Sequence, residues 1–284
     1  MLHRNIKSRE PMTTLELISR HPAGTAKAPP LLFVHGAFSG AWIWDAKFLP
    51  WFAARGWEAH AVSLRGHGDS EGRHRLDSFG IADFVDDVLE AAGRLSAPPV
   101  LIGHSMGGMV VQRALAKRRF PAGVLMASAP PYGLLSSTMG LAWRSPFVFQ
   151  QMSMLMTFGE SAFDPEAIRR AMFSDKMPRD EAAQYDRRMQ EESRRVLLDI
   201  GGWIPFPVLP PRDLPILVMG AEEDLLFPRA EVVATAMALG TEPVFLPGMG
   251  HAMMLEQDWQ SAAERVEGWI AETLGVKAGT VEAA

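Results

Sequence analysis

The sequence predicts an α/β fold: a mostly parallel central sheet with helices on both faces, plus a helical segment inserted into it. Three observations carry this. Short, continuously apolar runs such as Leu31-Leu32-Phe33-Val34 and Val100-Leu101-Ile102 lack the polar alternation of a half-wet strand, so they read as strands buried on both faces. Such runs alternate with amphipathic stretches as far as residue 131, and strand–helix alternation of this kind builds parallel sheets. Between 132 and 211 the alternation stops: the chain is rich in Met and aromatics and offers helices without strands.

In chain order, residues 14–19 alternate loosely and suit an exposed early strand. A connector rich in Pro, Gly and Ala follows over 22–30, before the apolar run that ends in His35-Gly36. Trp44, Phe48, Trp51 and Phe52 have helical spacing, and Gly56 closes that helix. Residues 57–64 supply another strand, which runs into Arg65-Gly66-His67-Gly68-Asp69-Ser70. A helix is predicted over 79–95, with Phe84, Val88 and Ala91 inward and Asp83, Asp86, Asp87 and Glu90 toward water. Strands are predicted at 99–102 and 123–128, with a helix over 108–117 between them. Inside the inserted segment, 166–173 and 179–198 are helix candidates, and a proline-rich return occupies 201–211. The sheet resumes at 216–219 and 243–246, with helices over 229–239 and 259–274. The expected division is therefore a core of 1–131 and 212–284 and a helical cap of 132–211.

Composition narrows the function. A net charge of −5 gives no reason to expect nucleic acid or an anionic membrane surface as partner. There is no cysteine, which rules out disulfides, zinc–thiolate sites and a cysteine nucleophile and is compatible with a cytoplasmic location. No run of about 18 apolar residues is present, so no membrane span is expected. The basic first ten residues lack the apolar core of a signal peptide, and the small, polar tail 276–284 reads as frayed.

The chemistry centres on Gly103-His104-Ser105-Met106-Gly107, set between an apolar run and a helix. A Gly-x-Ser-x-Gly in that setting is a nucleophile elbow: the turn must be sharp enough to lift the serine oxygen above the sheet, and side chains at 103 and 107 would collide with neighbouring elements. Asp224 follows a strand and stands four residues before Pro228; His251 ends Gly248-Met249-Gly250-His251 after the last strand. In these motifs, over roughly residues 14–275, the sequence resembles the α/β-hydrolase family, whose triad runs nucleophile, acid, histidine along the chain. The resemblance implies Ser105, Asp224 and His251 in those roles. Glu222 and Glu223 are the local rivals of Asp224. It also implies two backbone donors for an oxyanion, Met106 and Ala37, with Phe38 as rival to Ala37.

A serine is a weak nucleophile until a base takes its proton; a histidine of ordinary pKa suits that task, and a carboxylate behind it fixes the ring tautomer. His104 is expected to point into the structure, and 65–70 is read as loop architecture. His67 and Asp69 have no third ligand at metal-binding spacing. The arginines at 169, 170, 187, 188, 194 and 195 alternate with acids and read as solvated faces. The expected function is a serine hydrolase acting on a small carboxylic ester with apolar acyl or alcohol groups, without cofactor or metal. The same groups also serve lactone, amide or carbon–carbon hydrolysis and cofactor-free perhydrolysis. A non-catalytic relative that binds a small ligand is the reading from outside enzymology.

Overall fold

The structure, a computed structural model, describes residues 14–158 and 164–276. The basic stretch 1–10 and the tail from 277 onward, read above from sequence, lie outside the described residues. Seven strands make one sheet: β1 (Leu17–Arg20), β2 (Lys27–Val34), β3 (Trp57–Val62), β4 (Val100–His104), β5 (Gly123–Met126), β6 (Ile216–Ala221) and β7 (Pro243–Leu246). Their order is β1-β3-β2-β4-β5-β6-β7, with β1 antiparallel to β3 and the remaining pairs parallel.

The continuous apolar runs are explained by helices on both faces. Leu31, Phe33, Ile102, Val124 and Leu217 point to one face, where α1 (Trp42–Asp45), α2 (Phe48–Ala54) and α11 (Trp259–Leu274) cover them. Leu32, Val34, Leu101, Leu125 and Val218 point to the other, under α3 (Ile81–Gly93), α4 (Met106–Lys117) and α10 (Arg229–Leu239). The chain builds outward from β2 to β3 and then crosses to β4, so the direction of winding reverses between β2 and β4. In open α/β sheets the crevice at the carboxyl ends of such strands is where ligands bind. Between β5 and β6 the described chain holds helices only: α5 (Leu135–Arg144), α6 (Pro146–Phe158), α7 (Pro165–Met172), α8 (Arg179–Asp186) and α9 (Arg194–Gly201).

Four sequence expectations need correction. The predicted 22–30 connector is partly strand, because β2 starts at Lys27; the register shifts between Lys27 and Leu31, so Pro29 and Pro30 sit where the ladder is already irregular. The single helix predicted over 44–55 is two, α1 and α2. Pro50 lies in the first turn of α2, where its missing N–H does no harm, whereas a helix continuing through it would clash with the carbonyl of residue 46. The predicted 179–198 helix is also two, since residues 187–193 form a strap whose side chains bond to the sheet domain. Finally, Asp87 does not face water. It is fully buried, and its carboxylate takes the Arg65 backbone N–H at 2.8 Å and the Arg65 guanidinium at 2.6 and 2.8 Å, which pins the 65–70 loop to α3.

Candidate active site

Ser105 caps β4 and precedes α4, with φ 54° and ψ −121°. That left-handed φ is costly for a residue with a side chain and persists only where the surroundings over-determine it. Here the Ser105 N–H donates to Met126 O at 3.1 Å and its C=O accepts from the Ala129 N–H at 2.9 Å, so β5 and its exit hold the turn. The glycine requirement is steric on both sides. A Cβ on Gly103 would lie 2.5 Å from Gly107 O, and one on Gly107 would strike the carbonyl oxygens of His35 and Val34. Two further non-glycine residues have positive φ at neighbouring strand ends: Phe38 after β2 (62°) and Ala127 after β5 (41°).

His251 and Asp224 come together from the loops after β7 and β6, both buried. The His251 Nδ1–H donates to Asp224 Oδ2 at 2.9 Å, which turns Nε2 away from the carboxylate. The second carboxylate oxygen of Asp224 accepts the backbone N–H groups of Leu226 (2.8 Å) and Phe227 (3.0 Å). Glu222 and Glu223 bond through their backbones to Leu246 and Met249. The His251 loop is held by a further buried carboxylate, Glu256, which accepts from the N–H groups of Gly250 (2.8 Å) and Ser174 (2.6 Å). His104 points inward, and its Nε2–H donates to the His251 carbonyl at 3.0 Å. Burial, together with the neighbouring His251 ring, holds the His104 pKa well below its ordinary value.

Ser105 and His251 line one cavity of about 350 Å³, together with Gly36, Ala37, Phe38 and Met106. The segment between β5 and β6 contributes to its lining through Leu134, Leu141, Phe149, Met152, Met172 and Leu197 among others. Among the described residues no hydrogen bond joins the Ser105 hydroxyl to His251.

Two residues that line this cavity, Met106 and Ala37, have backbone N–H groups to account for. The Met106 N–H starts α4 and has no protein partner among the described residues. The Gly36–Ala37 peptide is fixed by its carbonyl, which accepts from His35 Nδ1 at 2.8 Å and from the Ser39 hydroxyl at 2.9 Å; the Ala37 N–H therefore points the opposite way. The tautomer of His35 is set by its other nitrogen, which accepts the Leu64 N–H at 3.0 Å. Burial, reinforced by the nearby His67, lowers its pKa to about 3, so it remains neutral. Phe38, the rival to Ala37, has its N–H directed at Glu192 Oε2 (3.3 Å). The structure thus leaves the Ala37 N–H unpartnered and the Phe38 N–H engaged.

Three features near the site go beyond what the sequence suggested. Glu192 and His67 form a fully buried pair at 3.1 Å, yet Glu192 lies in a polar run that reads as a wet surface. Glu256 follows an apolar run, the one hint that its carboxylate is enclosed. Arg169 is not on a solvated face: its side chain is 12% exposed, borders the cavity and is gripped by Glu166 at 2.9 Å. Among the described residues no three His, Asp or Glu side chains converge as a metal site requires. Nor is any described helix long and apolar enough to cross a membrane.

Comparison with known proteins decides the family. Residues 31–265 match the model of the alpha/beta hydrolase family, which covers most of the chain. The chain belongs to that family. Within the alpha/beta hydrolase family it is 36% identical over 116 residues to a non-heme chloroperoxidase of Burkholderia pyrrocinia, covering 38% of this chain and 40% of that one. It is 35% identical over 108 residues to esterase PIR7B of Oryza sativa subsp. japonica, covering 35% and 38%. The matched stretches thus span about two-fifths of the length of these curated relatives. A putative non-heme bromoperoxidase from Mycobacterium tuberculosis shares the fold at TM-score 0.71 and 20% identity, over 94% of this chain and 98% of that one.

Proposed function

We propose that this alpha/beta hydrolase is a serine-dependent carboxylic ester hydrolase. In this reading His251 Nε2 takes the hydroxyl proton as Ser105 Oγ attacks the ester carbonyl, and the Met106 and Ala37 N–H groups hold the oxygen that becomes negative. The tetrahedral species collapses, and the alcohol leaves with the proton from His251. Water, deprotonated by His251, then attacks the acyl-enzyme, and the acid departs as Ser105 regains its proton. Asp224 keeps the imidazole in the tautomer that can accept at Nε2 and stabilises the imidazolium.

The observation that carries the reading is the 2.9 Å bond from His251 Nδ1 to a carboxylate whose other oxygen is saturated by backbone, in a cavity shared with a serine on a strained turn. The apolar lining favours an ester with apolar acyl or alcohol groups. In the same reading residues 132–211 act as a cap over the core formed by 1–131 and 212–284.

The test is hydrolysis of acyl esters of graded chain length, with lactones and a vinylogous diketone alongside, by the wild type and by Ser105→Ala. Turnover of short or medium esters that vanishes in a normally folded Ser105→Ala protein is the expected result. Retained ester hydrolysis in that variant would sink the assignment, and activity on the diketone alone would redirect it to carbon–carbon cleavage.

A further inference from the structure

The loop after β2 is not held by the sheet domain alone. Phe38 keeps its left-handed φ of 62° because both of its backbone polar groups are tied to the strap between α8 and α9. Its N–H donates to Glu192 Oε2 at 3.3 Å, and its C=O accepts from the Gln190 N–H at 2.9 Å. The adjoining residue is Ala37, whose N–H is the proposed oxyanion donor. Close by, a Cβ on Gly36 would lie 3.1 Å from Ser105 Cβ, so a small rotation of this loop is felt at the reacting serine.

Glu192 is in turn held in place. Its other oxygen accepts the Ser193 N–H at 2.7 Å, and Oε2 also accepts a hydrogen bond from His67 Nε2–H at 3.1 Å. The second ring nitrogen of His67 lies 3.2 Å from Arg65 O, so both ring nitrogens face acceptors, an arrangement that favours the protonated ring. Burial alone would lower the His67 pKa; the Glu192 charge and hydrogen bond outweigh it, and the net shift is upward. Arg65 is itself anchored by Asp87, so the chain of contacts ends in α3. Both side chains of the His67–Glu192 pair are fully buried. An ordinary loop tie does not need an enclosed ion pair, which is expensive to desolvate and rigid once formed.

We infer that Glu192 is a positioning residue of the helical segment: anchored by His67 and the Ser193 N–H, it sets the Phe38 peptide and, through it, the aim of the Ala37 N–H. This rests on the ester-hydrolase reading above. It implies that the segment over the cavity completes the reaction machinery as well as shaping the substrate pocket.

The carboxylate is needed as such, because both of its oxygens accept from N–H groups. An amide in its place must turn its NH₂ toward at least one of those donors. Glu192→Gln, nearly the same size, should therefore melt cooperatively yet lower kcat on the best ester about tenfold, with KM within about threefold, and Glu192→Ala should lower kcat further. In ¹⁵N-labelled wild-type protein, the Phe38 amide should exchange with solvent at least about tenfold more slowly than the Ala37 amide, which has no protein partner. A folded Glu192→Gln enzyme with wild-type kcat, or one altered only in KM, overturns the inference. So do equal exchange rates at Phe38 and Ala37, a readout that stands even if both variants fail to fold. A wild type that hydrolyses no ester at all would instead count against the ester-hydrolase reading, while leaving the exchange comparison to decide the role of Glu192.

Discussion

Asp224 uses its two carboxylate oxygens on different partners, and that division makes its replacement diagnostic. In Asp224→Asn the side-chain oxygen can still accept from Leu226 and Phe227, but the NH₂ then faces His251 Nδ1. The ring must present a bare Nδ1, which moves its proton to Nε2, the nitrogen that receives the Ser105 proton in the proposed mechanism. Steady-state assays should show kcat lower by about 10⁴. Thermal melting should show little change, because the backbone contacts survive. Ser105, Asp224 and His251 stand out in the sequence as candidates because each lies beside a local constraint: glycines that a tight turn demands, a proline four residues on, a glycine-flanked loop after an apolar strand. Glu192 has no such neighbour. Its carboxylate is buried by parts of the chain distant in sequence, His67 and Phe38, and no local pattern encodes that.

At the scale of elements, the turn between β4 and α4 depends on how closely α4 approaches the end of β2. A methyl group on Gly107 would press on the backbone carbonyls of Val34 and His35, which cannot rotate out of the way as side chains do. Gly107→Ala should therefore cost about 3 kcal/mol by chemical denaturation and reduce turnover beyond what lost stability explains. The join between α3 and the 65–70 loop rests on Asp87, which is fully buried while Arg65 remains 17% exposed. Asp87→Ala leaves the Arg65 N–H without its acceptor and the guanidinium with only the 3.5 Å carboxylate contact to Asp83, with an expected loss of about 3 kcal/mol in the same experiment. Helices α10 and α11 and strand β7 begin and end where periodicity and caps put them. The elements misread from sequence failed for physical reasons. Pro50 divides what looked like one helix, and the strap between α8 and α9 leaves the helical path because its polar groups find better partners in the sheet domain. Asp87 shows the same limit at one residue: amphipathic spacing put it toward water, and only the tertiary contact with Arg65 explains its burial.

For the molecule as a whole, buried histidines of opposite character set the pH range of stability. His35 and His104 stay neutral when folded, with pKa values below the 6.5 of an exposed ring, so only the unfolded chain gains their protons as pH falls through about 6.5. Each should remove up to about 1.4 kcal/mol per pH unit below that point. His67 acts in the reverse sense: its folded pKa is raised, so its contribution is complete below 6.5 and is lost as pH rises through the raised value. Melting temperature should therefore pass through a maximum, falling on the acid side below about pH 6.5. A curve flat from pH 7 to pH 4.5 would contradict the neutral, buried state of His35 and His104. Among the described residues the three non-glycine positions with positive φ, Phe38, Ser105 and Ala127, follow the carboxyl ends of β2, β4 and β5, which lie side by side in the sheet. Each such residue costs on the order of 1 kcal/mol or more, and the cost is concentrated along one rim. A laboratory selection that rewards heat tolerance and ignores chemistry should therefore accumulate glycine at 38 and 127 early, drifting toward sturdier proteins whose pocket has lost its grip.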